Sequence, residues 1–174
     1  EGRARRRLVD VLDLHWYPEA KGGGVRITEA NNGAEVAAAR VQAPRSLWDP
    51  AYAESSWISV DARVGAIRLL PRMKEKIAAH YPGTRLAITE YNYGGGEHVS
   101  GAVAQADVLG IFGREDLFAA TLWDLSGGMR YVDGAFALYC NYDGAGGRFG
   151  DTSIGAATSN HETTSVYASV DEGR

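Results

Sequence analysis

The segment that most constrains the fold is Leu86-Ala87-Ile88-Thr89-Glu90-Tyr91-Asn92-Tyr93, which runs directly into Gly94-Gly95-Gly96. A short run of aliphatic and β-branched residues halted by consecutive glycines predicts a buried strand with an abrupt exit. Glu90 stands at the C-terminal end of that strand, between the apolar run and aromatic residues, and no Lys or Arg follows it within the next several residues. A carboxylate placed there loses hydration and needs compensation. The residues leave two readings open. Glu90 serves chemistry, or it pairs with a distant arginine or caps a neighbouring helix.

Two further segments resemble the first. Leu8 to Tyr17 (LVDVLDLHWY) places Val9, Val11, Asp13, His15 and Tyr17 on one face and Leu8, Asp10, Leu12, Leu14 and Trp16 on the other. Both faces are largely apolar, as in a parallel strand covered on both sides, and Pro18 stops the ladder. His15 alone reads equally as a hydrogen-bonded core or rim histidine. With Asp13 and Tyr17 beside it, the floor of a polar pocket is favoured. Leu117 to Leu125 is again short and apolar, and carries Trp123 and Asp124 near its end.

Between these strands the periodicity turns helical. Leu70 to His80 carries Met73, Ile77 and Tyr81 at helical spacing, with Pro71 suited to the first turn and Pro82-Gly83 closing it. Ser100 to Phe112 predicts a second helix, with Val103, Ala106 and Gly110 on one face and Gly113 as its cap. A further helix is expected over Gly134 to Tyr142, followed by a turn. Residues 19 to 60 form a long connection with breakers at Gly22 to Gly24, Asn31-Asn32-Gly33 and Ala43-Pro44, and a short helix over Ala34 to Val41. Its aromatic residues Trp48, Tyr52 and Trp57 argue against disorder. Each ring either plugs the loop onto the scaffold or stacks on a ligand.

Strand, helix, strand, helix, strand in series means an α/β protein with a parallel sheet and helices outside. The polar and aromatic residues gather at the C-terminal strand ends, where open α/β sheets and closed barrels place their sites. From Gly150 onwards small, Thr/Ser-rich alternation (GDTSIGAATSN, SVYASVD) predicts antiparallel strands of a different module.

Several chemistries are disfavoured. A formal net charge of −4 over 174 residues argues against nucleic-acid or membrane-surface partners, and no apolar run reaches the ~18 residues of a spanning helix. Arg3 to Arg7 is expected to be a solvated turn or helix end rather than part of a secretory signal. The single cysteine, Cys140, precludes an intrachain disulfide and a cysteine-based zinc site. No Ser occupies a G-x-S-x-G elbow, and the glycine clusters match neither phosphate-binding nor dinucleotide fingerprints. The four histidines lack ligand spacing, and Asp143 with Asp151 is a weak calcium suggestion. A strand-end carboxylate, aromatic platforms and amide or imidazole hydrogen-bonders remain. That set suits sugars, whose C–H faces stack on Trp and Tyr while their hydroxyls need polar partners.

The runs VDVLDLHWYPEA, QAPRSLWDP and LLPRMKEKIAAHYPGTRLAITEYNYGGGEHVSGAVAQADVLGIFG, with the stretch from Tyr139 through Tyr167, resemble glycoside hydrolase family 44. These are bacterial endo-β-1,4-glucanases that often act on xyloglucan and other β-glucans. The similarity covers nearly the whole chain, and the ITEYNYGGG run is specific. The resemblance implies a (β/α)8 TIM barrel joined to a β-sandwich, and hydrolysis with retention. It implies that LVDVLDLHWY, the ITEYN strand and FAATLWDL are strands six, seven and eight, with residues 1–145 the C-terminal portion of the barrel and 146–174 the beginning of the sandwich. By position, Glu90 matches the nucleophile, and substrate contacts are expected from His15, Trp16, Tyr17, Trp57, Tyr91, Asn92 and Trp123.

The family's acid/base Glu, expected after an Asn on strand four, has no counterpart, since no Asn-Glu pair occurs. The chain is therefore expected to be a fragment of a longer enzyme and inactive alone. A non-catalytic carbohydrate-binding protein is the alternative. The resemblance further implies a β-glucan substrate, no cofactor, a monomeric parent to which carbohydrate-binding modules can be appended, and an extracellular location. Structural calcium occurs in such enzymes, but the sequence assigns no ligands for it.

Overall fold

The computed structural model describes residues 7–124 and 128–172. Of the turn expected at Arg3 to Arg7 only Arg7 lies within them, and the end of the third strand at Leu125 lies outside. Strand β1 (Val11–Trp16), β4 (Arg85–Tyr91) and β5 (Ala119–Leu122) form a parallel sheet in the order β1-β4-β5. The segment around Glu90 is thus the central strand. Helix α2 (Leu69–His80) and helix α3 (Val99–Arg114) make the crossovers before and after it, and helix α4 (Arg130–Cys140) follows β5. The alternation predicted from sequence is the one observed.

The long connection after β1 is ordered. It contains a two-residue-per-strand hairpin, β2 (Lys21–Gly22) and β3 (Val25–Arg26), then helix α1 (Ala34–Gln42) and a 3₁₀ turn over Ala43–Leu47. Trp48 plugs the loop onto the scaffold, packing against the core and meeting the Arg114 guanidinium 4.4 Å from its ring centroid. A separate two-stranded antiparallel sheet, β6 (Thr152–Ile154) with β7 (Ala168–Val170), supplies the strands expected after Gly150.

Alternation on the central sheet decides what is core. Leu12, Leu14 and Trp16 of β1, Leu86, Ile88 and Tyr91 of β4, and Ala120 and Leu122 of β5 all belong to one apolar cluster, together with Val108, Ile111 and Phe112 of α3. Burying each large aliphatic or aromatic side chain contributes about 1.5–3 kcal/mol, so this face drives the docking of the helices. On the other face Asp13, Thr89 and Thr121 are exposed. The buried stripe of α3 includes Ala104, Gln105, Val108 and Ile111. The Val103, Ala106 and Gly110 side turns instead to α4 and the C-terminal segment, where the Tyr139 hydroxyl donates to Ala106 O and the Tyr167 ring lies over Gly110.

Three local differences from the sequence reading have physical causes. Helix α4 starts at Arg130 rather than Gly134, because the Glu97 carboxylate accepts the Arg130 N–H from across the fold. Helix α3 runs past Gly113 to Arg114, with Asp116 taking the left-handed conformation (φ 49°). The glycine triplet does more than end a strand. A Cβ on Gly94 would meet Ile27 O at 2.3 Å, and one on Gly101 would meet Gly95 O at 2.0 Å. The exit of β4, the connection after β3 and the start of α3 are thus packed backbone against backbone.

That junction is closed by a buried arginine. Arg40 of α1 is fully buried and donates from Nε to Ile27 O and Tyr93 O, from Nη1 to Asn32 Oδ1 and Ser100 Oγ, and from Nη2 to Ile27 O and Asn31 O. Among the described residues no carboxylate pairs with it; carbonyl dipoles and side-chain oxygens carry the compensation that a buried charge requires.

A strand-end carboxylate as candidate active site

Glu90 owes its orientation to an extra residue in the central strand. The β1–β4 register runs Leu14↔Ile88 and then His15↔Glu90, while on the other side Ile88↔Ala120 is followed by Tyr91↔Leu122. Both neighbours therefore count one residue fewer than β4 across this stretch, which is a β-bulge, a device that re-aims side chains. Strict alternation would set Glu90 with Leu86 and Ile88 and turn Tyr91 away. With the bulge, Tyr91 joins the buried side and Glu90 is left partly accessible.

Around the carboxylate, Glu90 Oε2 accepts the Tyr17 hydroxyl at 3.1 Å and lies 3.2 Å from His15 Nδ1. Among the described residues Oε1 has no partner. Desolvation first, and then the adjacent Glu90 carboxylate, raise the Tyr17 pKa above its ordinary value, so the phenol stays a proton donor through neutral pH. One oxygen held by two donors and the other open is an arrangement suited to nucleophilic attack through the open one.

Trp123 follows β5 directly. Its N–H donates to Tyr91 O at 3.0 Å and its carbonyl accepts Asn92 Nδ2 at 2.6 Å, so its backbone is fixed to the end of β4 while the indole remains half exposed. Asn92 Oδ1 meanwhile accepts Gly94 N–H at 2.6 Å. The structure therefore brings His15, Tyr17 and Glu90 into contact, with Trp123 anchored alongside.

Three expected substrate contacts take other roles. Trp16 is buried, its Nε1 donating to Tyr93 Oη at 3.1 Å, and Tyr91 is buried edge-on against Phe112 with its hydroxyl accepting from Gln105. Burial pushes the Tyr91 phenol up to about 12. Both rings are core because β1 parity and the β4 bulge turn them to the helical side. Asn92 is buried with its amide nitrogen and oxygen both engaged by backbone, which makes it a strand-end clamp. Trp57 is exposed on a turn of the long connection, and among the described residues nothing joins it to Glu90.

Thr89 and Thr121 are not among the residues the sequence singles out, and Asp13 is expected only as part of a pocket floor. Their one signal is polarity in the middle of apolar strands. The described residues contain no group of three His, Cys, Asp or Glu placed to hold a metal ion. Asp143 Oδ1 is occupied by the Ala145 and Gly147 N–H groups, and these backbone donors hold its carboxyl below the ordinary value. No helix among the described residues is long and apolar enough to cross a membrane. A cavity of about 800 Å³ lies elsewhere, lined by Val103, Ala106, Leu138, Tyr139, Phe149 and Tyr167, and shares no residue with the Glu90 site.

Fold and site together define an α/β protein with a hydrogen-bonded carboxylate at the C-terminal end of a parallel sheet. No family model matches the chain. Over 95% of its length it is 52% identical to Endoglucanase A of Paenibacillus lautus, of which it covers 24%. A family 44 endoglucanase produced by Clostridium acetobutylium superposes with a TM-score of 0.91 at 48% identity, and a family 44 xyloglucanase from Paenibacillus polymyxa with xyloglucan superposes with a TM-score of 0.89 at 49% identity. Each match covers 95% of this chain and 32% of the other. The chain belongs to glycoside hydrolase family 44 and spans about a third or less of the relatives it matches.

Proposed function

We propose that this chain supplies the nucleophile and part of the substrate cleft of a retaining endo-β-1,4-glucanase acting on cellulose-type glucans or xyloglucan. The observation that carries the reading is the half-engaged Glu90 carboxylate, with Oε2 held by Tyr17 and His15 and Oε1 open on the accessible face. Glu90 Oε1 attacks the anomeric carbon as the glycosidic bond breaks, forming a glycosyl ester. A second carboxyl group about 5–5.5 Å away protonates the leaving oxygen and then activates water. That acid/base lies outside this chain. The Tyr17 phenol and His15 Nδ1–H orient the nucleophile, and the Trp123 indole stacks on a glucosyl ring beside the scissile bond.

In this reading β1, β4 and β5 are strands six to eight of a (β/α)8 barrel, residues 1–145 belong to it, and β6 and β7 open the adjoining β-sandwich. The parent acts extracellularly on a polysaccharide. The curated and structural relatives named as endoglucanases and xyloglucanases support the substrate class.

The test is mechanism-based trapping of the complete polypeptide with an activated 2-deoxy-2-fluoro cellobioside, followed by peptide mapping. The adduct is expected on the peptide containing Glu90, and Glu90→Gln is expected to abolish turnover while retaining polysaccharide binding. An active Glu90→Gln protein, or an adduct on another peptide, would move the nucleophile elsewhere. Binding without turnover or adduct in the complete wild-type polypeptide would favour a carbohydrate-binding protein instead.

A further inference from the structure

The bulge that aims Glu90 leaves backbone polar groups at Thr89 out of step with both neighbouring strands. Backbone N–H and C=O groups that a strand ladder leaves unpaired take other partners, and here they find them on side chains. On the β1 side, Asp13 Oδ1 accepts the Thr89 N–H at 3.0 Å and Asp13 Oδ2 accepts the Thr89 hydroxyl at 2.5 Å. On the β5 side, the Thr121 hydroxyl donates to Thr89 O. Asp13 lies in register with Ala87, and so reaches two residues forward along β4 to the residue that its own strand cannot pair. We propose that Asp13 and Thr121 are positioning residues for Glu90, gripping the extra residue Thr89 from the two flanking strands and so fixing the direction in which the adjacent carboxylate points.

This proposal rests on the reading of Glu90 as nucleophile. It differs from the roles of Tyr17 and His15 in that neither Asp13 nor Thr121 touches the carboxylate; they act through the backbone that carries it. The bidentate grip is charge-assisted, and bonds of that kind are about twice as strong as neutral ones. The Thr89 hydroxyl, followed among the favourable contributions by its N–H and by His15, holds the Asp13 carboxyl below its ordinary value against an opposing desolvation effect. A carboxylate of this kind remains ionised, and the grip intact, wherever a polysaccharide hydrolase works near neutrality.

The experiment compares Asp13→Ala, Thr89→Val, the double variant, Thr89→Ser and Thr121→Val in the complete polypeptide. It measures kcat, KM and the rate of adduct formation with the activated 2-fluoro cellobioside. Asp13→Ala and Thr89→Val should each slow adduct formation and kcat by about 10- to 100-fold, the cost of a misplaced reacting group, with KM nearly unchanged. The double variant should be no worse than the poorer single one, because both remove the same contact. Thr89→Ser, which keeps the hydroxyl, should restore most of the rate, and Thr121→Val should fall in the same direction as Asp13→Ala. Asp13→Asn, which keeps an acceptor for the Thr89 N–H, serves where the alanine variant does not fold, and should be intermediate.

Unchanged adduct rates would overturn the proposal. So would losses that multiply in the double variant and follow a fall in melting temperature, since those are the marks of a merely structural contact. Mapping the adduct in the wild-type protein separates the two ideas. An adduct away from Glu90 sinks the nucleophile assignment, whereas an adduct on Glu90 formed at full rate in Asp13→Ala sinks only the grip.

Discussion

Replacing Arg40 by alanine gives the sharpest test of what holds the site's surroundings together. The guanidinium is fully buried and satisfies Ile27 O, Tyr93 O, Asn31 O and Asn32 Oδ1, whereas Ser100 Oγ keeps a second partner in His98 Nδ1. Ile27 O and Tyr93 O lie in the buried part of the network. At about 1–3 kcal/mol for each buried acceptor left unsatisfied, their loss costs about 2–6 kcal/mol. Releasing a buried charge recovers part of this, as burial already lowers the Arg40 pKa. The net destabilisation is therefore smaller than that sum, about 1–5 kcal/mol, since no opposite charge is left behind uncompensated. Arg40→Lys keeps a charge but has three donors in place of five and no planar fork, so about half that loss is expected. Urea denaturation of the complete polypeptide, followed by tryptophan fluorescence, measures both. A loss below about 1 kcal/mol for the alanine variant, or a lysine variant equal to wild type, would refute the account of the junction.

Tyr17→Phe removes one of the two donors on Glu90 Oε2. At about 1.5–3 kcal/mol for a hydrogen bond to a charged group, kcat should fall about 10- to 100-fold, measured on an aryl cellobioside. Trp123→Ala should weaken polysaccharide binding about 2- to 10-fold by affinity electrophoresis, because one stacking contact is worth about 0.5–1.5 kcal/mol. Glu54 is buried, with Oε2 held by Ser46 and desolvation raising its pKa. Its folded-state pKa exceeds the unfolded one, so the folded state binds the extra proton and stability rises as pH falls through that interval. Glu54→Gln should therefore stabilise the protein at pH about 7 and lose that advantage near pH about 4, read by denaturation at the two values.

Much of the architecture was legible because it is local. Helix α2 announces itself through Met73 and Ile77 at helical spacing, and both pack on the core. Strands β1 and β4 each carry a short apolar run, and they pair in parallel. What could not be read was whatever depends on a count between strands. The bulge at Thr89 has no sequence mark of its own, yet it decides that Tyr91 is core and Glu90 is not. Trp16 is expected at the site through the family resemblance, but parity sends its indole to Tyr93. Asn92 looks like a sugar ligand until β5 arrives from thirty-one positions away to occupy its amide. The early start of α4 likewise depends on Glu97, on a different segment.

The Asn92 clamp also bears on the entropy of catalysis. Glu90 and Asn92 are on one stretch of backbone, and Asn92 holds the Trp123 carbonyl while Tyr91 O holds its N–H. Carboxylate and indole backbone are therefore parts of one rigid piece, although they come from different strands. Under the proposed function, a sugar ring stacked on the indole would meet a carboxylate whose backbone is already placed relative to that of Trp123, and that part of the ordering would add nothing to the cost of binding. On the same reading, substrates whose ring spacing does not suit that backbone geometry would find little adaptation there, and the clamp would gauge polymer geometry as well as fasten the strands.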